Sequence, residues 1–163
     1  MAQQAGGLEY ELKGFDATLR RLSPDLIAGP LREGMGLTVA AIQREAQTRA
    51  PGDTRRLKAD IHSELDPTPP FPRWGKVGPR VFYAPFVEFG TGLFGPLKRR
   101  ITPVRAKALA WISRDGRLFI RRSVAGMRPR PYMRPALAAA AKGPIPRIWA
   151  EAARKIGLEW RNP

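Results

Sequence analysis

The chain has 163 residues, which is room for one domain, or one domain with a peripheral arm. It has no cysteine, and this excludes a disulfide scaffold, a zinc–thiolate site, an iron–sulfur cluster and a cysteine nucleophile. Its 29 Lys and Arg against 14 Asp and Glu give a net charge of +15, a balance that favours nucleic acid, an anionic surface or an acidic protein as partner without choosing among them.

Leu8-Glu-Tyr-Glu-Leu12 alternates apolar and polar residues and predicts a half-buried strand ended by Gly14. Phe15, Leu19 and Leu22 predict a short helix. A longer helix is predicted from about Asp25 to Arg49, with Ile27, Leu31, Met35, Val39, Ile42 and Ala46 as its apolar stripe. Pro30, Gly34 and Gly36 weaken its first half, where a kink or a split is expected. Pro51-Gly52-Asp53 stops it.

Asp53 or Thr54 then caps a short segment, Arg55 to Glu64, in which Leu57, Ile61 and Leu65 fall four apart. Asp66 to Pro72 reads as a stiff extended loop, since prolines fix φ and push their predecessors out of helical geometry. Trp74 to Val81 reads as a strand interrupted at Gly78-Pro79, and Tyr83 to Phe89 as a short helix or turn closed by Gly90-Thr91-Gly92. Leu93 to Arg105, rich in Gly, Pro and Arg, reads as a long loop.

Ala108 to Ser113 and Leu118 to Val124 flank Arg114-Asp115-Gly116-Arg117, a hairpin signal. Pro135 or Ala136 opens an alanine-rich helix to Lys142, stopped by Gly143-Pro144. A last helix, Pro146 to about Leu158, puts Ile145, Trp149, Ala152, Ala153 and Ile156 on one face. The fold class is α+β: N-terminal helices packed on a small antiparallel sheet with a long basic loop, plus C-terminal helices.

No apolar run approaches the ~20 residues of a membrane span. The first residues lack a basic region followed by an apolar run, so no secretory signal is expected. The expected setting is a reducing cytoplasm, or an assembly built there.

Charge divides the chain sharply. Residues 1–66 hold 9 basic and 10 acidic side chains, whereas 67–163 hold 20 basic and 4 acidic. The densest part is Lys98 to Arg134, where Asp115 is the single acid. Lys98, Arg99, Arg100, Arg105, Arg117, Arg121, Arg122, Arg128 and Arg130 are the candidate contacts to a partner or to DNA phosphates. No helix carries the basic face that sequence readout of DNA requires, so contact with nucleic acid would be non-specific.

Catalytic chemistry has little to work with. The single histidine, His62, alternates with Asp60 and Glu64, so the three share a face only on a strand; it reads as a surface histidine. Glu88, between Val87 and Phe89, is either a buried acid with a raised pKa or an acid paired with a nearby arginine, the second being favoured. The aromatics Phe82, Tyr83, Phe86, Phe89 and Phe94 read as core. Neither a phosphate-binding glycine loop nor a nucleophile elbow occurs. No enzyme, cofactor or metal is expected.

Two segments are informative together. Tyr83-Ala-Pro-Phe-Val-Glu-Phe-Gly-Thr-Gly92, followed by Arg130-Pro-Tyr-Met-Arg-Pro-Ala-Leu137, resembles a family of bacteriophage neck and tail components whose type member is the tenth gene product of a lambdoid coliphage. A third block, Pro51-Gly-Asp-Thr-Arg-Arg-Leu-Lys-Ala-Asp-Ile61, is similar to the family's upstream stretch at Asp53, Thr54, Leu57 and Ile61, and differs where Arg55 replaces glycine and Lys58 replaces arginine.

The resemblance implies a domain over residues 1–142, containing the basic loop 93–127, with a C-terminal helical extension at 143–163 outside it. It also implies a structural role in the virion, in a ring of six or twelve copies joining capsid to tail. Head-completion, tail-terminator or tail-tube proteins would be the neighbours, and packaged DNA a non-specific contact. Within the blocks, Val87 and Phe89 are expected in the core. Gly90, Thr91 and Gly92 are expected to form a turn. Pro131 and Pro135 fix the approach to the helix, and Tyr132, Met133 and Leu137 anchor it. Arg134 completes the second block.

Overall fold

A computed structural model describes residues 24–52 and 56–161. The expected strand at Leu8–Leu12, the expected helix at Phe15–Leu22, and Asp53 and Thr54 lie outside the described residues. Among the described residues the fold is α+β, with helices first and last and two separate two-stranded antiparallel sheets between them.

Helix α1 (Pro24–Arg49) is one unbroken helix of 26 residues, with Pro30 inside it. The expected split is absent. Tertiary packing outweighs the local cost, because the C-terminal helix lies along α1 and the buried Gly34 faces Trp149 and Ala152. Val39 and Ala46 of the expected stripe are buried.

The segment after Pro51 departs from its helical spacing. A single turn, α2 (Arg56–Asp60), passes directly into strand β1 (Ile61–Leu65). The spacing of Leu57 and Ile61 is real, since both are buried, but it spans a helix-to-strand junction. That junction is fixed from α1: the amides of Gln43 and Gln47 both donate to the Ile61 carbonyl, at 3.0 and 3.1 Å. Strand β2 (Gly75–Pro79) pairs with β1, Ile61 opposite Pro79 and Leu65 opposite Gly75. Gly78-Pro79 therefore ends the strand instead of interrupting it.

Helix α3 (Ala84–Phe89) follows, with proline in its first turn. Strands β3 (Leu109–Ile112) and β4 (Leu118–Arg121) form the expected hairpin. Helix α4 (Met133–Lys142) starts two to three residues earlier than the sequence suggests, and α5 (Pro144–Arg161) starts two earlier. On α5, Ala152 is buried and Ala153 exposed, so the apolar face is narrower than expected.

The core gathers Ala46, Ala50, Leu57, Ile61, Ala84, Tyr132 and Ala136, with Tyr132 and Ile61 the largest wholly buried side chains. Alanines dominate it, so helices approach closely while little large apolar surface is removed from water. Among the described residues no helix is long and apolar enough to cross a membrane.

Candidate interaction surface

Glu88 is buried, with 7% of its surface exposed. Oε2 accepts the backbone N–H groups of Tyr132 and Met133 at 2.7 and 3.0 Å, and Oε1 accepts that of Arg134 at 3.2 Å. These amides open α4 and have no partner within the helix. The helix's own N-cap, Tyr132, supplies no side-chain cap, so a carboxylate some forty residues upstream does so and also meets the positive end of the helix. The arginine partner expected for Glu88 is thus replaced by backbone amides at the start of a helix at least 44 residues away, which nothing beside Glu88 in the sequence signals. A further bond, Arg130 N–H to the Val87 carbonyl at 2.8 Å, completes the junction. The two motif blocks are therefore one physical unit. Burial, followed by the nearby Glu88 charge, pushes the Tyr132 hydroxyl up to about 12.

Other expectations for these blocks need correcting. Val87 is half-buried against the core, but Phe89 is not in it; its ring lies under the Arg134 guanidinium at 4.8 Å. Leu137 is half-exposed on α4, so Tyr132 and Met133 do the anchoring. Phe82 is 84% exposed and Phe86 is half-exposed, so the aromatic cluster is largely surface. A helix as short as α3 turns only one side inward, and Ala84 and Glu88 occupy it. Pro131 is exposed before α4, and Pro135 stands in its first turn.

The segment 93–127 is an arm with structure of its own rather than a simple loop. At its root, Thr91 N–H donates to the Met127 carbonyl at 2.9 Å, Met127 N–H to Thr91 Oγ1 at 2.8 Å, and Leu93 N–H to the Ala125 carbonyl at 2.7 Å. The two backbones cross so closely that glycine is required. A β-carbon on Gly90 would stand 2.8 Å from the Met127 carbonyl oxygen, and one on Gly92 or Gly126 would collide with the carbonyls of Ala125 and Thr91. All three have positive φ, at 75°, 62° and 93°.

Further out, Ile101 and Val124 exchange two backbone bonds at 2.9 and 3.0 Å. Beyond them the β3–β4 hairpin stands off, with no other element packed substantially against it among the described residues. Its turn is closed by Gly116 N–H to the Ser113 carbonyl, with Gly116 at φ +80°. On one face Trp111 and Phe119, directly opposite each other, stack with ring centres 5.5 Å apart. The other face carries Ile112 and Leu118, 71% and 62% exposed, with Ile120 also exposed.

All nine candidate basic residues are exposed. Lys98, Arg99, Arg100 and Arg105 lie on the outgoing side of the arm, and Arg100 Nε donates to Ser123 Oγ at 2.9 Å across it. Arg117 pairs with Asp115 at the turn, and the Arg121 guanidinium lies beside Phe119. Arg122 follows on the returning side. Arg128 covers the ring of Phe94 in the arm's first residues at 5.3 Å, two positions before Arg130 in the chain. The arm thus collects most of the set, while Arg128 and Arg130 belong to its base. Residues 93–127 hold nine Lys and Arg against one Asp, a net +8.

A second polar cluster joins the two strands of the other sheet. Asp60 Oδ2 accepts the backbone N–H groups of Arg80 and Val81. The Arg80 side chain donates to His62 Nε2 at 2.9 Å and to Glu64 Oε1 at 2.7 Å, while His62 Nδ1 faces the Asp60 carbonyl at 2.9 Å. Arg80 holds the Glu64 carboxyl below its usual range. His62 and Glu64 do share a strand face, but among the described residues no three metal-ligating side chains converge. Asp66, nearly fully buried, receives N–H bonds from Thr68 and Arg73 and is held down at about 2, Thr68 contributing most. Asp66-Pro-Thr68 is an Asx-turn pattern, a signal visible in the sequence. Gly126, by contrast, had none, since its partner is 35 residues away.

Comparison with models of known protein families, with characterised proteins and with solved structures finds no match for this chain.

Proposed function

We propose that the chain is a non-catalytic structural subunit of the head–tail connector of a tailed bacteriophage. In this reading it is one copy of a ring of six or twelve that joins the capsid's portal complex to the tail, next to head-completion, tail-terminator or tail-tube proteins. The three motif blocks supply the family likeness. The observation that carries the reading furthest is the arm, a two-stranded hairpin with large apolar side chains exposed on both faces and a rigid root. An isolated two-stranded hairpin is marginal in water, and exposed apolar surface of this kind marks an interaction site. A closed ring of like subunits uses head-to-tail contacts, for which a projecting arm is suited.

Reconstruction of the particle's head–tail junction tests it. Density for this chain in a closed ring there is expected, and a well-resolved junction without it overturns the proposal.

The net +8 of the arm favours a second reading, a free protein that binds nucleic acid non-specifically through residues 98–134. Titration of DNA binding against salt separates the two. A steep slope with useful affinity near physiological salt supports the second reading, and feeble binding leaves the first.

A further inference from the structure

Between α3 and the outgoing side of the arm lies an open groove of about 790 Å³. Pro85, Phe86, Phe89, Leu97, Ile101 and Val104 supply its apolar lining, with Leu97 72% and Val104 96% exposed. Arg99 and Arg100 line it as well, and both are exposed. An occupant that uses the whole groove brings apolar side chains and negative charge together. A phosphodiester backbone would meet the two arginines and leave the aliphatic lining bare.

The chain itself carries a segment of that chemistry. Residues 1–23 lie outside the described residues, and within them Leu8-Glu-Tyr-Glu-Leu12 is the one stretch of the chain where three apolar and two acidic residues alternate. When extended, such a stretch turns Leu8, Tyr10 and Leu12 to one side and Glu9 and Glu11 to the other. The apolar side matches the groove lining, and the outward carboxylates suit guanidinium forks reaching over from Arg99 and Arg100. Asp25 and Glu159 stand inside α1 and α5, where side chains do not alternate between two sides.

Geometry favours a groove on another copy. α3 shares its core with Ala46 and Ala50 at the C-terminal end of α1, whereas residue 23 joins the opposite end. Pro24 and Ala46 stand about 33 Å apart along that helix. Residues 13–23 bridge about 28 Å when the helix expected at Phe15–Leu22 forms. The shortfall favours the groove of an adjacent copy over the chain's own. A ring supplies such a copy, and contact between two different surfaces is the kind that closes a ring. Tethering also keeps the segment at high effective concentration beside the groove.

We propose that Leu8–Leu12 of one copy docks in the groove between α3 and the arm of the next, linking the subunits head to tail. The inference rests on the proposed function in taking the chain to form a ring.

The test uses the full chain, with methyl NMR at Leu97, Ile101 and Val104 and sedimentation to follow association. Between about 10 μM and about 1 mM the parent is expected to self-associate and to shift those methyls, with a Kd on the order of 100 μM. Leu8→Ser with Leu12→Ser on the segment, or Leu97→Asp with Val104→Asp in the groove, should each weaken association about tenfold or more. The groove pair is exposed, so that variant should melt like the parent. Mixed together, the two variants retain one intact segment and one intact groove between them, and should form pairs and nothing larger. Arg99→Glu with Arg100→Glu should weaken association as well. Adding Glu9→Lys with Glu11→Lys to that chain should restore it, a rescue that loss of folding would not allow.

Four results would each overturn the proposal. The first is association that survives the segment variant. The second is a methyl difference between parent and segment variant that is already complete at the lowest concentration, which puts the segment in its own groove. The third is methyl shifts produced by single-stranded DNA. The fourth is no shift at any concentration, which leaves the groove to another molecule. The junction reconstruction is independent. Head-to-tail association in solution without a ring at the junction removes the proposed function alone, and a ring whose chains do not use this segment removes this inference alone.

Discussion

The carboxylate of Glu88 accepts the backbone N–H of Tyr132 at 2.7 Å, so the end of one short helix holds the start of another across the whole length of the arm. Two more amides share the carboxylate. Glu88→Gln keeps one acceptor but turns a donor toward the same amides and removes the charge at the helix start. We expect it to lower stability by about 2 kcal/mol, and Glu88→Ala by about 3 kcal/mol or more, since buried amides are then left without partners. Urea melts followed by circular dichroism measure both. A change below about 0.5 kcal/mol for Glu88→Ala would show that the cap is dispensable.

Asp66 gives the fold an acid limit. Its carboxyl is held at about 2, below its ordinary 3.8. Between those values the unfolded chain binds the proton that the folded chain refuses. Its contribution is therefore full above the ordinary value and disappears as pH falls toward 2. Asp66→Asn should flatten this part of the stability profile, read as melting temperature against pH.

Tyr132 acts at the other end of the scale. Its hydroxyl is raised from 10.0 to about 12, so the folded chain keeps a proton that the unfolded chain releases. Stability is full below 10 and falls as pH rises toward 12. Tyr132→Phe should blunt the alkaline loss between those values while leaving the melt at neutral pH nearly unchanged.

Gly126 should be irreplaceable at the root of the arm. Its φ of +93° is strained for any L side chain, and a β-carbon there meets the Thr91 carbonyl. Gly126→Ala is expected to cost about 3 kcal/mol or more, and to raise hydrogen exchange at Thr91, Leu93 and Met127, whose N–H groups form the root. Exchange unchanged at those amides would mean that the crossing does not hold the arm.

The sequence made some elements legible and hid others, for physical reasons. α1 was readable because its stripe repeats at helical spacing over many turns, and the β3–β4 hairpin because Asp115-Gly116 encodes its turn locally. The Leu57-to-Leu65 segment misled because four-residue spacing continued through a junction set by Gln43 and Gln47 on a distant helix. The aromatic run Phe82 to Phe89 was misread because hydrophobicity reports what a residue prefers, not whether a six-residue helix can turn it inward. The basic set was readable as charge, but its organisation into a rooted arm depends on Gly92 meeting Ala125 and Gly126 meeting Thr91, pairings invisible along a single line of sequence.

The arm's outer face offers the most direct check that this protein works by joining other proteins. Ile112→Lys with Leu118→Glu replaces an exposed facing pair by one of opposite charge, which keeps the cross-strand pairing favourable, so the purified variant should melt like the parent. In particles assembled with this variant, electron microscopy should show filled heads and finished tails lying apart. Normal joined particles, made by a variant confirmed to be folded and incorporated, would contradict it.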